Sequence, residues 1–299
     1  MFLNTFAKVG NKEHFPVEFE GGIQMSAQFG GDQYIAGQKE PVIDMPTRFV
    51  DFMRVLVPMA GDDTTPEGEQ VNIYGNHVGS WNFAATAYLN QWKVKIYYEH
   101  YFDDHSQMFF QYGRWKDGHI GLEITFPKNR FIDTFVYEGL GTKDQTGPML
   151  YDSFWGEFEE QISAKDNYYN HYLYQGWQHW GMGIGNPLLP GPIYNKNGQI
   201  TFISNRVLAH HIGFCGSPCQ SLSYRMLLSY SRHWGTYDNP LNEIKKQFNS
   251  LFEVTYAPQQ LKGWSFTVSG AMDRGSMLGN NYGGMLVIRK QGIIKSGNK

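Results

Sequence analysis

Two short stretches of this 299-residue chain gather the side chains that most often do chemistry. His100, Asp103, Asp104 and His105 share one loop, a composition that suits a metal ion. A solvated turn at a strand end lacks fixed ligand geometry, so neither a metal nor another cofactor is expected there. Asp152, Glu157, Glu159 and Glu160 form the second group, on a short helix expected over 151–162. Glycoside hydrolysis needs two carboxyls held about 5–9.5 Å apart across a sugar, whereas close neighbours on a helix form a solvated face. A loop-carboxylate hydrolase is therefore only a lesser alternative. A serine nucleophile would need a paired histidine, and no elbow motif or spacing selects one. His210 and His211 are adjacent in a strand and point to opposite faces, so they do not share an ion. No catalytic residue is assigned, and the chain reads as non-enzymatic.

A different chemistry is available farther on. Tyr168, Tyr169, Tyr172, Trp177, His179, Trp180 and Tyr194 crowd a Gly- and Pro-rich loop. Aromatic faces accept sugar C–H groups, and the polar tips of Tyr and Trp hydrogen-bond hydroxyls. The same rings would equally serve to fold the loop back as a plug. Lys93, Lys95, Arg225 and Arg289 lie on polar strand faces, where they would attract an acidic polymer or pair with Glu99, Glu123, Glu253 and Asp273. Cys215 and Cys219 bracket Gly216-Ser217-Pro218. A local bridge and free thiols are both compatible with that spacing, but two thiols do not staple a fold of this size.

The elements that position these residues are strands. In Val17–Phe29 one face reads Val, Phe, Gly, Ile, Met, Ala, Phe and the other Glu, Glu, Gly, Gln, Ser, Gln. The same alternation recurs over 81–90, 92–99, 119–126, 222–231, 248–256 and 264–273, and a last strand falls near 284–291. This is period 2, the signature of half-buried strands. Many segments approach the 9–11 residues that cross a bilayer as strands, aromatic residues often end the apolar face, and charges occupy mid-strand positions on the polar one. Short turns such as 127–130 and 258–262 contrast with long polar stretches at about 59–79 and 139–197. These features predict an all-β protein: one domain over 1–299, an antiparallel transmembrane β-barrel of the outer membrane with a long, partly helical loop. A soluble sandwich is the competing architecture.

Composition narrows the classes further. Aromatic residues are 16% of the chain and charged residues 18%, with 34 Gly; disordered segments are poor in aromatics. Mean hydropathy is -0.45, and no run of about 18 apolar residues suggests a spanning helix. A net charge of -3 offers no basic footprint for nucleic acid. Residues Met1–Lys8 lack the features of a secretory signal.

Several phrases resemble the Wzi-type capsule assembly proteins, outer-membrane β-barrels of Gram-negative bacteria. They are Gly75-Asn76-His77-Val78-Gly79-Ser80, Tyr98-Glu99-His100-Tyr101-Phe102-Asp103-Asp104 and Tyr168-Tyr169-Asn170-His171 with Gly176-Trp177. Gly181-Met182-Gly183-Ile184-Gly185-Asn186-Pro187, Pro192-Ile193-Tyr194-Asn195, Asn205-Arg206-Val207 and Ala209-His210-His211-Ile212-Gly213 continue the likeness. It covers most of the chain from about residue 14. The resemblance implies a non-enzymatic, lectin-like protein of the cell outer membrane that binds capsular or surface polysaccharide and helps assemble or retain capsule. Its partners would be that polysaccharide and outer-membrane lipid, with the chain a monomer. The strands counted are fewer than the family's barrel holds, which implies an N-terminal truncation. A porin or solute channel is the alternative that shares the same charged lumen.

Overall fold

A computed structural model of the chain describes residues 1–10, 15–103, 105–110, 117–129 and 131–292. The period-2 segments become strands: β1 (Phe2–Val9), β2 (Val17–Gln28), the short β3 (Gly31–Gln33) and β4 (Ile43–Met45), β5 (Asn76–Leu89) and β6 (Trp92–Phe102). There follow β7 (Gly118–Thr125), β8 (Thr134–Gly141), the two-residue β9 (Gln178–His179) and β10 (Met182–Gly183), and β11 (Val207–Cys219). The last are β12 (Leu222–Gly235), β13 (Pro240–Tyr256), β14 (Trp264–Gly275) and β15 (Asn281–Lys290). Helices α1 (Phe49–Leu56), α2 (Glu67–Val71) and α3 (His105–Met108) are brief, and among the described residues no helix is long and apolar enough to cross a membrane.

Eleven strands form one antiparallel sheet in the order β1-β2-β5-β6-β7-β8-β11-β12-β13-β14-β15, each beside its predecessor in that sequence. The fold is therefore all-β and antiparallel. Side chains of β1, β2 and β5 line the same cavity as those of β12 and β13, so the sheet curls about its polar face. It does not close: β1 and β15 are its two edges.

Register keeps the two faces distinct from strand to strand. Ala85, Ile96, Leu122, Tyr137, Ile212 and Leu228 follow one another outward across β5 to β12, while Glu138, His211, Ser229 and Asn249 follow one another inward. On the convex face Phe83, Ile96, Ile120, Phe252, Val268 and Leu286 are exposed. Near the short-turn end that face carries aromatic contacts, Trp92 with Phe126 at 5.1 Å, Phe214 with Tyr224 at 6.3 Å and Trp264 with Phe266 at 6.3 Å.

Connections alternate in length around the sheet. Those over 10–16, 90–91, 126–133, 220–221 and 257–263 lie at one end; 29–75, 103–117 and 142–206 lie at the other, with the short 236–239 and 276–280. The long stretches expected at about 59–79 and 139–197 are thus displaced, because β5 claims residues from Asn76 and β11 begins only at Val207. The connection 142–206 folds over the concave face. Its Tyr169, Trp177, Leu189 and Phe202 pack with Leu140 of β8 and Val207 and Ala209 of β11. The helix expected over 151–162 is instead a loop closed by a bridge between Tyr151 and Ile162, with a single 3-10 turn at Ser153–Trp155. On the convex side near the long-loop end, Val55 of α1 meets Ala27, Met45 and Tyr74, and Met108 of α3 meets Met25 and Phe102.

Candidate functional site

The concave face is a ladder of alternating charge and hydrogen-bonding groups. Lys8 reaches Glu18 at 2.8 Å and Glu20 at 3.4 Å, and Lys95 reaches Glu20 at 3.1 Å. Lys93 reaches Glu123 at 3.4 Å, and His119 stands between Glu138 at 3.4 Å and Glu99 at 3.9 Å. The Tyr97 hydroxyl donates to Glu138. His211 Nδ1 lies 2.6 Å from Ser229 Oγ, and Arg225 pairs with Glu253 at 2.8 Å. Of the four cations read as lumen charges, Lys93, Lys95 and Arg225 are thus paired across the sheet, while Arg289 is exposed on the edge strand β15. A cavity of ≈ 700 Å³ lies between this polar floor and the turn Gly185–Pro190 of the long connection.

Backbone turns stiffen that connection. Asp117, just before β7, accepts the backbone N–H groups of Asp144 at 2.9 Å and Gln145 at 2.5 Å and the Tyr168 hydroxyl at 3.2 Å. Gln145 and Thr146 have positive φ, so the carboxylate satisfies donors of a left-handed turn that otherwise lack partners. Burial pushes the Asp117 carboxyl up to about 6. Asn205 Nδ2 donates to Asn167 Oδ1 at 2.6 Å and to the Tyr168 carbonyl at 2.8 Å. Gly176 has φ 75°, and a Cβ there would stand 2.1 Å from the Tyr169 carbonyl oxygen, which accepts the Trp177 N–H at 3.0 Å. This close approach turns Trp177 inward.

The seven aromatic candidates therefore divide. Tyr168, Tyr169 and Trp177 are buried within the 142–206 connection. Trp180 is 85% exposed, Tyr172 and Tyr194 are 65% exposed, and His179 is exposed beside Trp180. Trp180 and Gly181 both have positive φ and join β9 to β10, the two-residue geometry a hairpin favours. That turn displays the Trp180 ring at its tip.

A second cavity of ≈ 770 Å³ opens at the long-loop end. Its lining includes a set of amide side chains, Asn72, Asn167, Asn170, Asn197, Gln199, Asn239 and Asn242, beside Ser163, Thr201, Tyr172 and the carboxylates Asp103, Asp166 and Asp238. Tyr172 is anchored by its hydroxyl, which donates to Glu69 Oε1 at 3.0 Å, and its ring stacks on His171 at 4.9 Å. Burial lowers the His171 imidazole to about 4, which leaves it neutral, and burial raises the Glu69 carboxyl against the opposing hydrogen bonds from the Gly75 N–H and the Tyr172 hydroxyl. Planar amides beside an aromatic face can offer paired donors and acceptors to hydroxyl-rich ligands.

The remaining sequence candidates are dispersed. His100 is buried, stacked on Phe110 at 4.2 Å with Nε2 3.0 Å from the Gln107 carbonyl oxygen, and His105 is exposed on α3; Asp104 lies outside the described residues. Glu157, Glu159 and Glu160 are exposed, and Asp152 accepts from Gln161 at 2.7 Å. Cys215 and Cys219 are free thiols on either side of a register shift in β11. His210 faces outward against the Tyr137 hydroxyl at 2.9 Å. Sequence reading missed the asparagines of the loop cleft and the pairing of His211 with Ser229. The latter pair occupies inward positions of two alternating strands, and register alone brings it together. No family model, curated protein or solved structure matches the chain.

Proposed function

We propose that the chain forms the greater part of an outer-membrane β-barrel that holds a surface polysaccharide at its long-loop end and helps assemble or retain capsule. The observation that carries this reading is the two-sided sheet: an exposed apolar convex face with aromatic contacts near one rim, against a polar, ion-paired concave face. Soluble monomers rarely leave so continuous an apolar surface in water, whereas a lipid-facing barrel requires one. Clustering of the three long connections at one end fits extracellular loops above short periplasmic turns. The amide-rich cleft with Tyr172, and the exposed Trp180 and Tyr194, are the glycan-contacting groups in this reading, and the phrases that resemble Wzi-type proteins agree with it. Binding alone is required of the cleft, with no bond-making chemistry. A diffusion channel is disfavoured because the 142–206 connection packs its apolar core over the lumen.

The test is binding of purified capsular polysaccharide by the chain refolded in detergent micelles. Tyr172→Ala combined with Asn242→Ala should weaken retention at least ~10-fold, the order set by losing one stacking ring and one hydrogen-bonding amide. A chain that stays folded and monodisperse without detergent would remove the membrane reading, and unchanged polysaccharide retention in the double variant would remove the cleft.

A further inference from the structure

Four inward residues on adjoining strands stand in one row. Glu138 of β8 is directly opposite His211 of β11, His211 is opposite Ser229 of β12, and Ser229 is opposite Asn249 of β13. All four line the ≈ 700 Å³ cavity beneath the plug. Directly opposed residues of antiparallel strands have Cα atoms about 4.5–5.5 Å apart. The row therefore sets an acid, a base, a hydroxyl and an amide beside one cavity. His211 Nδ1 and Ser229 Oγ are 2.6 Å apart, a nucleophile–base contact. Glu138 is held by the Tyr97 hydroxyl and by His119 at 3.4 Å, which fixes its carboxylate on the side of His211 away from the serine. Asn249 Nδ2 donates one hydrogen to Asp273 Oδ1 at 2.7 Å, and Asn249 lines the cavity directly across from Ser229. Leu140, Leu188 and Leu189 supply apolar wall.

We propose that Ser229 is the nucleophile of a luminal esterase site that takes carboxylic esters with an apolar acyl group. This activity is separate from polysaccharide binding at the loop cleft. Ser229 Oγ bonds to the ester carbonyl carbon while its proton passes to His211 Nδ1. The oxyanion that forms accepts the Asn249 amide hydrogen. The bond from carbonyl carbon to alkoxy oxygen then breaks, and the departing oxygen takes the proton from His211. Water, deprotonated by His211, adds to the acyl-Ser229 carbon, and the carboxylic acid leaves as Ser229 regains its proton. Glu138 is a positioning residue whose charge stabilises the transient imidazolium.

The experiment treats the full chain, refolded in detergent micelles, with an alkyl fluorophosphonate and maps the adduct by peptide mass spectrometry. The adduct should fall on Ser229, and 4-nitrophenyl octanoate should be hydrolysed above the micelle blank, an activity lost in Ser229→Ala. His211→Asn should slow labelling by ~10²-fold or more, the range of a general base. Glu138→Gln should move the rising limb of the labelling pH profile to lower pH, because the base loses its neighbouring negative charge. Ser229 left unlabelled in a wild-type chain shown folded by circular dichroism overturns the proposal. So does labelling of Ser229 that is indifferent to His211→Asn. Neither result depends on whether polysaccharide binds.

Discussion

The ring of Tyr97 on β6 lies over Gly121 on β7: a Cβ built on Gly121 would stand 2.0 Å from the ring, whose hydroxyl reaches on to Glu138 of β8. Glycine is required at 121 for close approach, since it leaves room for the ring to cross one strand and bond the next. Phe6 covers Gly22 and Phe102 covers Gly79 in the same way, an arrangement that covers backbone otherwise left bare. Gly121→Ala should therefore push Tyr97 off Glu138 and destabilise the sheet by about 1–3 kcal/mol, the usual cost of overpacking. Urea unfolding of the refolded chain measures it, and a second substitution, Tyr97→Ala, should render Gly121→Ala nearly silent. Equal effects of Gly121→Ala with and without the ring would contradict this account.

The convex face makes a different demand. Ile96 is 55% exposed and flanked across the sheet by Ala85 and Leu122. Where lipid covers this face, Ile96→Arg should lose about 2–4 kcal/mol of folding stability in phospholipid vesicles if it lies near the midplane. Lys95→Gln, on the opposite face, should lose far less, since an ion pair in a watery lumen contributes little. Vesicle refolding titrations of the two variants separate the cases, and comparable small effects would argue that the convex face meets water.

Much of the fold was legible because each strand separates its two environments residue by residue. In β6, Trp92, Val94 and Ile96 against Lys93, Lys95 and Tyr97 leave little ambiguity. β1 escaped because its faces mix: Phe2 and Phe6 point inward with Asn4 and Lys8, while Thr5 points outward with Leu3, Ala7 and Val9. The loop fold was not legible, since it depends on long-range polar contacts such as Asp117 with Gln145 and Asn205 with Tyr168. The row on the concave face was hidden for a related reason. Residues 138, 211, 229 and 249 carry no common motif, and only the register of four strands aligns them.

Strand count constrains closure. In a meander of eleven antiparallel strands the first and last run the same way, so β1 and β15 would meet as a parallel seam. Bacterial barrels use even numbers of antiparallel strands, and an antiparallel closure here needs an odd number of strands from beyond this sheet. β15 is exposed along its whole length. Refolded alone, the 299-residue chain should therefore show rapid hydrogen exchange in Asn281–Lys290 and no heat-modifiable band on gels. A compact heat-modifiable monomer with β15 protected would establish the parallel seam instead.

Acid should act on the 142–206 connection through two opposed groups. Burial raises Asp117 to about 6, so its contribution to stability is fully present below the unfolded carboxyl value and is lost as pH rises through 6. His171 is lowered to about 4; its contribution is present above the unfolded imidazole value and is lost as pH falls through 4. Between pH 6.5 and 4 the two offset. Asp117→Asn removes the first and leaves the second, so exchange protection at Gln145 and Tyr168, corrected for intrinsic rates, should fall on acidification in the variant more than in the wild type. A parallel decline in both proteins would show that Asp117 does not titrate in this window.

Trp177 and Trp180 lie three residues apart and should behave as different kinds of residue. Gly176 turns Trp177 inward, where only 9% of it is exposed and it packs with Tyr169, Leu189 and Phe202. Trp177→Ala would leave a cavity in the apolar cluster that fastens the loop to β8 and β11, and buried Trp→Ala changes cost about 3–5 kcal/mol. Loosening should follow, seen as faster proteolysis within 142–206 with β-sheet content retained. Trp180 sits at the hairpin tip, and its loss removes no buried contact of comparable size. Trp180→Ala should therefore leave proteolysis and melting unchanged while reducing retention of purified capsular polysaccharide by roughly 5–10-fold, the scale of one exposed aromatic contact of about 1 kcal/mol. Replacing both together would confound these effects, so the single variants decide. If Trp180→Ala retains polysaccharide fully while Tyr172→Ala does not, the glycan contacts lie within the amide cleft and the hairpin tip serves another purpose.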